Sequence, residues 1–394
     1  MQKSPALAIV LGALVGLVAL GPGGPPAVAN RINTGAADGP YQKHFCGVLA
    51  QHLKLAQFDF ACEPSAGTRD TIERVLADPR QLGYAQLDAF AFLAKELQAE
   101  AAFTIVRHDD VRQCLYAVTR NPQLTNWGEL SANAPRLRLI LPAVDSDSAN
   151  SFQLLRAIDP TGIAKAAQVR HTASIESAIR EGLSAEDTVS LFVQFPDPAS
   201  ERFALIQELG GHVVPVIDRA ILRQEALGKK IYFAQETQVE NPQWIKSARR
   251  IVTACTPMLV FTGSADRVAG DKARKDHEDL IRTIGALNAA ALLPEESLFS
   301  KLLKRSKELT ASSTEKLLAA SEQARDKARP YTDRAMEAAK EGAEQAKGAA
   351  ERASEAAKPY LDKSKEAAQK AYDDAMKMAK ELMEKKPQSP PKND

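Results

Sequence analysis

Short apolar runs alternate with segments of helical spacing over roughly the first 120 residues. Between 42 and 55, apolar side chains recur every three or four positions, which predicts an amphipathic helix. The segments 68–77 and 87–99 repeat this spacing, and a short run of strand-forming residues precedes each of them. Strands that alternate with helices of this length indicate βαβ units on a mostly parallel sheet. The predicted strands are 32–34, 58–61 and 82–85.

A second α/β series follows a longer predicted strand at 113–119. A last apolar strand at 251–261 and a closing helix at 270–287 return the chain to the first block. The pattern therefore predicts two α/β lobes, with lobe one at about 30–117 and 255–290 and lobe two at about 118–254. Within lobe two the predicted strands are 137–141, 189–193 and 213–217, and the predicted helices are 150–158 and 175–181.

After residue 300 the sequence changes to a repeat rich in Ala, Glu and Lys. Five successive eleven-residue frames, from 327 to 381, carry an apolar residue, mostly Ala, at the second and ninth places. Eleven residues over three turns keep one face continuous along a nearly straight helix. We predict a linker at 291–300, then an amphipathic α-helical tail at 301–387 that Pro330 and Pro359 kink or interrupt, and a disordered end at 388–394.

The tail repeat resembles the eleven-residue repeats of LEA proteins and exchangeable apolipoproteins. That likeness leaves three roles open: a helix on a membrane surface, a helix for partner contact or self-association as in a coiled coil, and a solvated helix. An alanine-rich face buries little apolar area. We therefore expect the tail to pack only weakly against the lobes.

The N-terminus has the features of an export signal. Lys3 precedes an uninterrupted run of apolar residues and Gly at 6–20, shorter than the ~20 residues that span a bilayer. Ala27-Val28-Ala29 matches the small-x-small cleavage pattern. We predict a signal peptide at 1–29, cleaved near Ala29, and a mature chain in the periplasm. The alternative is an uncleaved anchor helix.

The net charge and the absence of known catalytic motifs limit the classes of function that fit this sequence. A net charge of +1 without a basic block gives no reason to expect a nucleic-acid partner. The sequence contains no H-E-x-x-H, G-x-S-x-G or P-loop pattern, so we expect no enzymatic activity, no cofactor and no bound metal. Four cysteines in an exported chain indicate two disulfides, and three pairings are open.

Several loop segments follow one another in a definite order. In the first block these are a Gly-rich turn, a Ser/Thr-Gly turn and a Gln-x-Asp segment, at 33–41, 65–70 and 84–88. Further on they are 145–150, 192–196, 214–218 and 252–261. In their order and spacing these segments resemble the TAXI-type solute receptors of TRAP transporters, and the likeness covers about 31–290. It implies a class II periplasmic-binding-protein fold with ligand in the cleft between two α/β lobes. It also implies a TRAP-type membrane permease as the partner.

The resemblance further implies which residues surround the ligand. Helix N-termini at such a cleft attract negative charge, which favours an anionic or carboxylate-bearing solute. The acids Asp38, Asp145 and Asp147 oppose a bare dianion unless a cation or Arg69 compensates. Each candidate also has a local alternative, as a turn residue or a helix cap. The candidates are Thr34, Gly35, Gly39, Tyr41, Ser65, Gly67, Thr68, Gln86, Asp88, Ser146, Ser148 and Gln194.

Placed on this fold, the cysteines fall into two neighbouring pairs. Cys46 lies early in the first helix and Cys62 at the end of the second strand, and in a parallel α/β unit these ends share one sheet edge. The resemblance places the strands of Cys114 and Cys255 side by side. We therefore predict the disulfides Cys46–Cys62 and Cys114–Cys255.

Two functions fit these features. The first is a periplasmic receptor that captures a small solute and delivers it to a TRAP-type transporter. The second is a non-transporting envelope scaffold or sensor, with a degenerate cleft and a tail for partner or membrane association. Intact ligand binding distinguishes the two.

Overall fold

The computed structural model describes residues 30–240, 248–288, 292 and 311–384. The predicted signal peptide, the end segment 388–394 and all but one residue of the predicted linker lie outside them. Within the part of the chain that the structure describes, no helix has the length and apolarity that a membrane span requires.

The first lobe begins with three parallel strands, of which β1 is the middle one and pairs with both β2 and β3. The helix at 68–77 begins and ends where the sequence predicts. The first helix differs, because its opening turns are π-helical over Tyr41–Cys46. The elements are β1 (Asn30–Asn33), α1 (Gly47–Leu55), β2 (Phe60–Glu63), α2 (Thr68–Ala77), β3 (Leu82–Gln86) and α3 (Leu87–Glu96).

Two long antiparallel strands, β4 (Phe103–Thr119) and β12 (Arg250–Gly263), join the lobes. Their register pairs Phe103 with Gly263 at one end and Cys114 with Cys255 towards the other. The predicted strand at 113–119 is only the second half of β4. Charged residues such as Arg107 hide the strand character of the first half, which is extended because β12 supplies backbone partners along it.

Lobe two lies between the two crossing strands in sequence. The sequence pattern does not reveal α4, α7, β6 or the segment 225–238, because these are short or polar and depend on tertiary partners. The elements are α4 (Trp127–Asn133), β5 (Arg138–Leu141), α5 (Asp147–Ile158), β6 (Gln168–His171), α6 (Ile175–Gly182), β7 (Thr188–Gln194), α7 (Glu201–Glu208), β8 (His212–Pro215), α8 (Arg219–Leu222), β9 (Glu225–Ala226), β10 (Lys229–Lys230) and β11 (Phe233–Gln238).

One twisted sheet runs through both lobes, in the order β2-β1-β3-β12-β4-β7-β5-β6. Strand β8 also pairs with β4, and β11 with β12. After β12, helix α9 (Asp271–Ala286) packs back on lobe one, where Leu280 and Ile284 join the core of β1 and β3. This arrangement confirms the predicted α/β fold class with two lobes.

Both predicted disulfides are present. Cys46 and Cys62 are bridged with their Cα atoms 6.0 Å apart. Cys114 and Cys255 occupy directly paired positions of β4 and β12, with Cα atoms 3.9 Å apart. Because 141 positions separate these two cysteines, the second bridge closes a loop that contains the whole of lobe two. It fixes the point at which the chain leaves lobe one and returns to it.

The tail is a single helix, α10 (Ala311–Glu384), that runs through Pro330 and Pro359. Each proline removes one backbone hydrogen bond, but the flanking turns continue, so the predicted interruption does not occur. At ~1.5 Å per residue its 74 residues extend about 110 Å. The described side chains between 340 and 352 are nearly all exposed.

The beginning of α10 lies on lobe two and makes specific contacts there, which the expectation of weak packing did not include. Leu318 is buried with Ile217 and Ala234. The hydroxyl of Ser321 accepts a hydrogen bond from the backbone N–H of Gly128, 3.1 Å away. A Cβ at Gly128 would meet the carbonyl oxygen of Ser321 at 2.0 Å, so only glycine allows α4 and α10 to approach this closely.

Charged pairs complete this contact. Arg325 forms an ion pair of 2.8 Å with Asp218, whose side chain is almost fully buried, and Arg219 pairs with both Glu315 and Glu322. The tail is therefore attached by a few specific side chains, and the alanine face contributes little. The periodicity of apolar residues indicates only how much apolar surface a helix can bury. It does not predict this attachment, because the attachment depends on individual polar and charged side chains.

We expect Arg325→Ala to lower the melting temperature. The Asp218 carboxylate would keep its bond from the Ala220 N–H but lose its cation, and a buried group left unsatisfied costs about 1–3 kcal/mol. In domains of about this size each kcal/mol corresponds to roughly 2–4 °C. Scanning calorimetry gives the shift, with Arg352→Ala on the exposed part of α10 as the matched control. Equal melting temperatures for Arg325→Ala and the wild type would show that the attachment adds no stability.

Candidate functional site

The two lobes meet at the N-terminal ends of α2 and α5. The Thr68 hydroxyl, in lobe one, donates a hydrogen bond of 2.6 Å to Oδ1 of Asp147 in lobe two. Next to it, Gly67 has φ +147, and a Cβ there would meet the carbonyl oxygen of Asp145 at 2.7 Å. The backbones of the lobes therefore touch at a position that only glycine accommodates.

A second group of contacts lies deeper. The Gln86 amide donates to Oγ of Ser151 at 3.5 Å and to Oδ1 of Asp88 at 3.4 Å. The hydroxyl of Tyr232 donates to Oδ2 of Asp88 at 3.0 Å. We call these contacts together the lobe–lobe seam, and the side chains that form it belong to Thr68, Gln86 and Asp88 of lobe one and to Asp147, Ser151 and Tyr232 of lobe two, with Gly67 at the close backbone approach.

Two acids in the seam, Asp88 and Asp147, have raised pKa values. Burial raises the pKa of Asp88, while hydrogen bonds from Ser151, the Ala89 N–H and Tyr232 oppose the rise. The pKa of Asp147 is also raised, first by burial and then by the charge of Asp88, against the hydrogen bond from Thr68. Asp147 as a residue is partly exposed, whereas Asp88 is fully buried. Asp147 therefore stands at the mouth of the seam and Asp88 at its base.

Tyr41 lies beside these acids in an aromatic cluster. Its ring stacks on Tyr84 with centroids 5.5 Å apart and meets the edge of Phe195 at 6.4 Å. Its hydroxyl accepts a hydrogen bond of 2.5 Å from the Gln113 amide, on crossing strand β4. Burial, followed by the charges of Asp147 and Asp88, raises the pKa of Tyr41 well above its ordinary value. The phenol is therefore neutral at physiological pH.

Two buried side-chain amides are not satisfied by other described residues. The Asn150 nitrogen, in the first turn of α5, has no hydrogen-bond partner among them, and neither has the nitrogen of Gln194 at the end of β7. The Gln194 oxygen, in contrast, accepts from Arg202 at 3.2 Å and from Ser200 at 3.4 Å. Buried amide donors normally have an acceptor, so both nitrogens mark positions for a further group.

The remaining predicted ligand residues form turns and caps near the seam. Thr34 donates to the side chain of Gln42, and the Gly35 N–H donates to Ser65. Ser65 also bonds the hydroxyl of Thr71, and the Gly39 N–H donates to Ala36. Ser146 caps α5, and Ser148 accepts from the Val193 N–H. Of the predicted set, the structure brings together at the seam Tyr41, Gly67, Thr68, Gln86 and Asp88.

The sequence analysis did not identify four groups in or next to the seam. These are Asp147 as the hydrogen-bond acceptor of Thr68, and Ser151, Gln113 and Tyr232. The i, i+4 spacing of Asp147 and Ser151 on α5 was a usable signal, because it places both on one helix face. No local pattern points to Tyr232, which precedes β11 and reaches Asp88 only through the fold. Arg69, considered as a compensating cation, instead pairs with Glu96 at 2.8 Å.

No group of three or more His, Cys, Asp or Glu side chains within the described ranges is placed to hold a metal ion. The seam thus offers hydroxyls, amides, carboxyls and aromatic rings. These groups can bind a small polar molecule by hydrogen bonds and charge.

No protein-family model matches the sequence, and a comparison with curated proteins finds no significant match. Solved structures do show similarity. The GluR0 ligand-binding core in complex with L-glutamate is 11% identical, over 71% of this chain and 98% of that one, with a TM-score of 0.39. A Xanthomonas citri protein bound to ATP is 13% identical, over 76% and 99%, with a TM-score of 0.40.

PhnD1 from Prochlorococcus marinus, in complex with methylphosphonate, is 10% identical, over 73% of this chain and 95% of that one, with a TM-score of 0.39. Similarity at this level says nothing about what this chain binds. The function has to be inferred from the residues at the seam.

We expect Asp147→Asn to raise the melting temperature at pH 7.5 and to have little effect near pH 4. A carboxyl whose pKa is raised by folding contributes stability below its unfolded pKa of about 3.9, and that contribution is lost as the pH rises through the raised value. Asparagine keeps an oxygen acceptor for Thr68 and carries no charge. Thermal melts across this pH range measure the difference.

Asp145→Asn, on the exposed neighbouring position, serves as the control and should change the melting temperature little at either pH. A loss of stability in Asp147→Asn at pH 7.5 would contradict the assignment of a disfavoured buried charge.

Proposed function

We propose that the chain is a receptor that closes its two lobes around a small solute. The observation that carries this proposal is the hydrogen bond from Thr68 to Asp147, which joins the N-terminal ends of two helices from different lobes. Buried polar groups from both lobes and from a crossing strand converge around it. An apolar contact between the lobes would cost less free energy if its role were only structural, because each buried polar group needs a hydrogen-bond partner.

The crossing strands supply a hinge for such closure. Thr253 on β12 donates to the carbonyl of Leu115 on β4 at 2.6 Å, and the Val216 N–H donates to Thr253 at 3.1 Å. The bridge between Cys114 and Cys255 holds the same two strands together. Hinge closure changes a few backbone angles while such paired strands stay intact.

The receptor acts, in this proposal, in the periplasm and delivers its solute to a TRAP-type permease. Support comes from the apolar N-terminal run with its small-x-small site and from the ordered TAXI-like segments. We propose binding without catalysis, since the seam groups hydrogen-bond one another and form no nucleophile–base pair. The anionic or carboxylate-bearing solute stays a prediction. The carboxyl groups of Asp88 and Asp147 count against it, because they lie at the helix N-termini that were expected to attract an anion.

The tail favours a second candidate, an envelope scaffold or sensor. Its first part is attached to lobe two through Leu318, Ser321 and Arg325, and about 60 further residues of the helix follow Arg325. Such a helix can reach a partner or a membrane surface. In this candidate the seam stays closed without solute.

Thr68→Val is expected to weaken solute binding about tenfold. Valine has the shape of threonine but lacks the hydroxyl that bonds Asp147, and one lost hydrogen bond to a charged group is worth ~1.5–3 kcal/mol. Native mass spectrometry of protein purified from the envelope would identify co-purified solutes, and calorimetric titration would compare their affinities.

Thr283→Val is the control, because its hydroxyl bonds only the Asp279 carbonyl within α9. If no small molecule co-purifies, and no pool of amino acids, sugars, amines or organic acids raises the melting temperature, the scaffold candidate is favoured.

N-terminal sequencing of the envelope protein should begin at or near Asn30. The reason is that Ala27 and Ala29 occupy the positions that signal peptidase reads. Recovery of intact Met1 from a soluble cytoplasmic fraction would contradict export.

A further inference from the structure

The charges at the seam determine which class of solute it can accept. We infer that it binds a small solute with a protonated amine and an oxygen acceptor. The amine faces the Asp147 carboxylate under the added charge of Asp88, and the acceptor faces the Asn150 amide. This inference rests on the proposed receptor function and names the chemistry of its ligand.

Asp147 is placed to receive a further donor. The Thr68 hydroxyl bonds one of the two carboxylate oxygens of Asp147, Oδ1, and a backbone hydrogen bond from Thr68 also lowers the pKa of this carboxyl. Asp147 as a residue is partly exposed, and a carboxylate can accept further donors. Asp88 lies behind it, fully buried and already bonded by Tyr232 and the Ala89 N–H. An ammonium group would hydrogen-bond Asp147 and offset both negative charges, whereas an anion would add to the repulsion.

Among the described residues, no cation is a cause of the pKa shift of Asp88 or Asp147. The two buried carboxyls therefore lie together without a described counter-ion, and a cationic solute would supply one. The arginines on the adjoining elements have other partners: Arg69 pairs with Glu96, Arg202 pairs with Glu176 and bonds Gln194, and Arg112 lies 3.9 Å over the ring of Phe233.

Asn150 provides an independent sign of a ligand. On α5 the positions 147, 150 and 151 share one face, and both Asp147 and Ser151 contact lobe one from it. The Asn150 side chain on this face is more than nine-tenths buried, and its nitrogen has no acceptor among the described residues. An oxygen of the solute would complete its hydrogen bonding, which an unsatisfied buried amide strongly favours.

Aromatic rings add to the preference for a cation. Tyr41 and Tyr84 stack beside the acids, and the Tyr41 hydroxyl is held by Gln113 rather than by either carboxyl. Neutral phenol rings next to carboxylates form a favourable surface for an ammonium group and its attached methylenes.

The test uses three probes that share one hydroxyl end. Ethanolamine, ethylene glycol and glycolate are a cation, a neutral molecule and an anion of equal length, and homologous sets with longer chains cover other spacings. Each is titrated into the full-length mature protein at pH 7.5, by calorimetry and by thermal shift. The amines are expected to bind at least tenfold more tightly than the matching diols, and the hydroxy acids not measurably.

Two variants test whether the amine binds at Asp147, and a third tests the contact with the Asn150 amide. Asp147→Asn removes the proposed contact and should weaken amine binding at least tenfold, while its fold is verified by its melting temperature. Asp145→Asn removes the same charge from the exposed neighbouring position and should leave the affinity within about twofold. Asn150→Leu, which lacks the amide, should weaken amino alcohols but not plain alkylamines.

The outcomes separate this inference from the proposed function. If hydroxy acids bind and amines do not, or if a sugar or other uncharged solute is the only ligand found, the amine assignment is overturned and the receptor function stands. If Asp145→Asn and Asp147→Asn weaken binding equally, the amine responds to the general field and not to Asp147, which also overturns it. If no compound of any class binds, the receptor function itself fails.

Discussion

Paired backbone hydrogen bonds between β4 and β12 hold the two lobes in one molecule. Strand β12 pairs with β3 on its other side, and β4 pairs with β7, so the sheet continues through the junction without a gap. The disulfide between Cys114 and Cys255 joins directly opposed positions of the same pair. The strands and the disulfide keep the lobes together, and this constraint brings the N-terminal ends of α2 and α5 to one place.

What meets there is chemically unusual for a domain contact. Thr68, Asp147, Gln86, Asp88 and Ser151 bond one another across the seam where an apolar contact would cost less. Burial raises the pKa of both acids, and the charge of Asp88 raises that of Asp147 further, so the closed arrangement is not at its electrostatic optimum. A group of opposite charge that binds at this seam would relieve the unfavourable electrostatics of the two acids.

The tail is connected to this hinge region as well. Asp218, which pairs with Arg325 of α10, follows Val216, whose backbone N–H bonds Thr253 on β12. The attachment of the tail and the pivot of the lobes are therefore two residues apart in the chain. The described contacts of α10 lie on lobe two, so in the proposed closure the helix would move with that lobe.

The sequence alone determined the parts of this protein that depend on local periodicity. Alternating apolar runs defined α2, β3 and the crossing strand β12, and the spacing of Ala predicted the tail helix, because these signals are carried by neighbouring residues. Only tertiary structure decided the rest. Residues distant in sequence, such as Tyr232 with Asp88 or Ser321 with Gly128, meet because the sheet and the helices position them. Contacts of that kind leave no periodic pattern in the chain, since each requires a single residue at a single place.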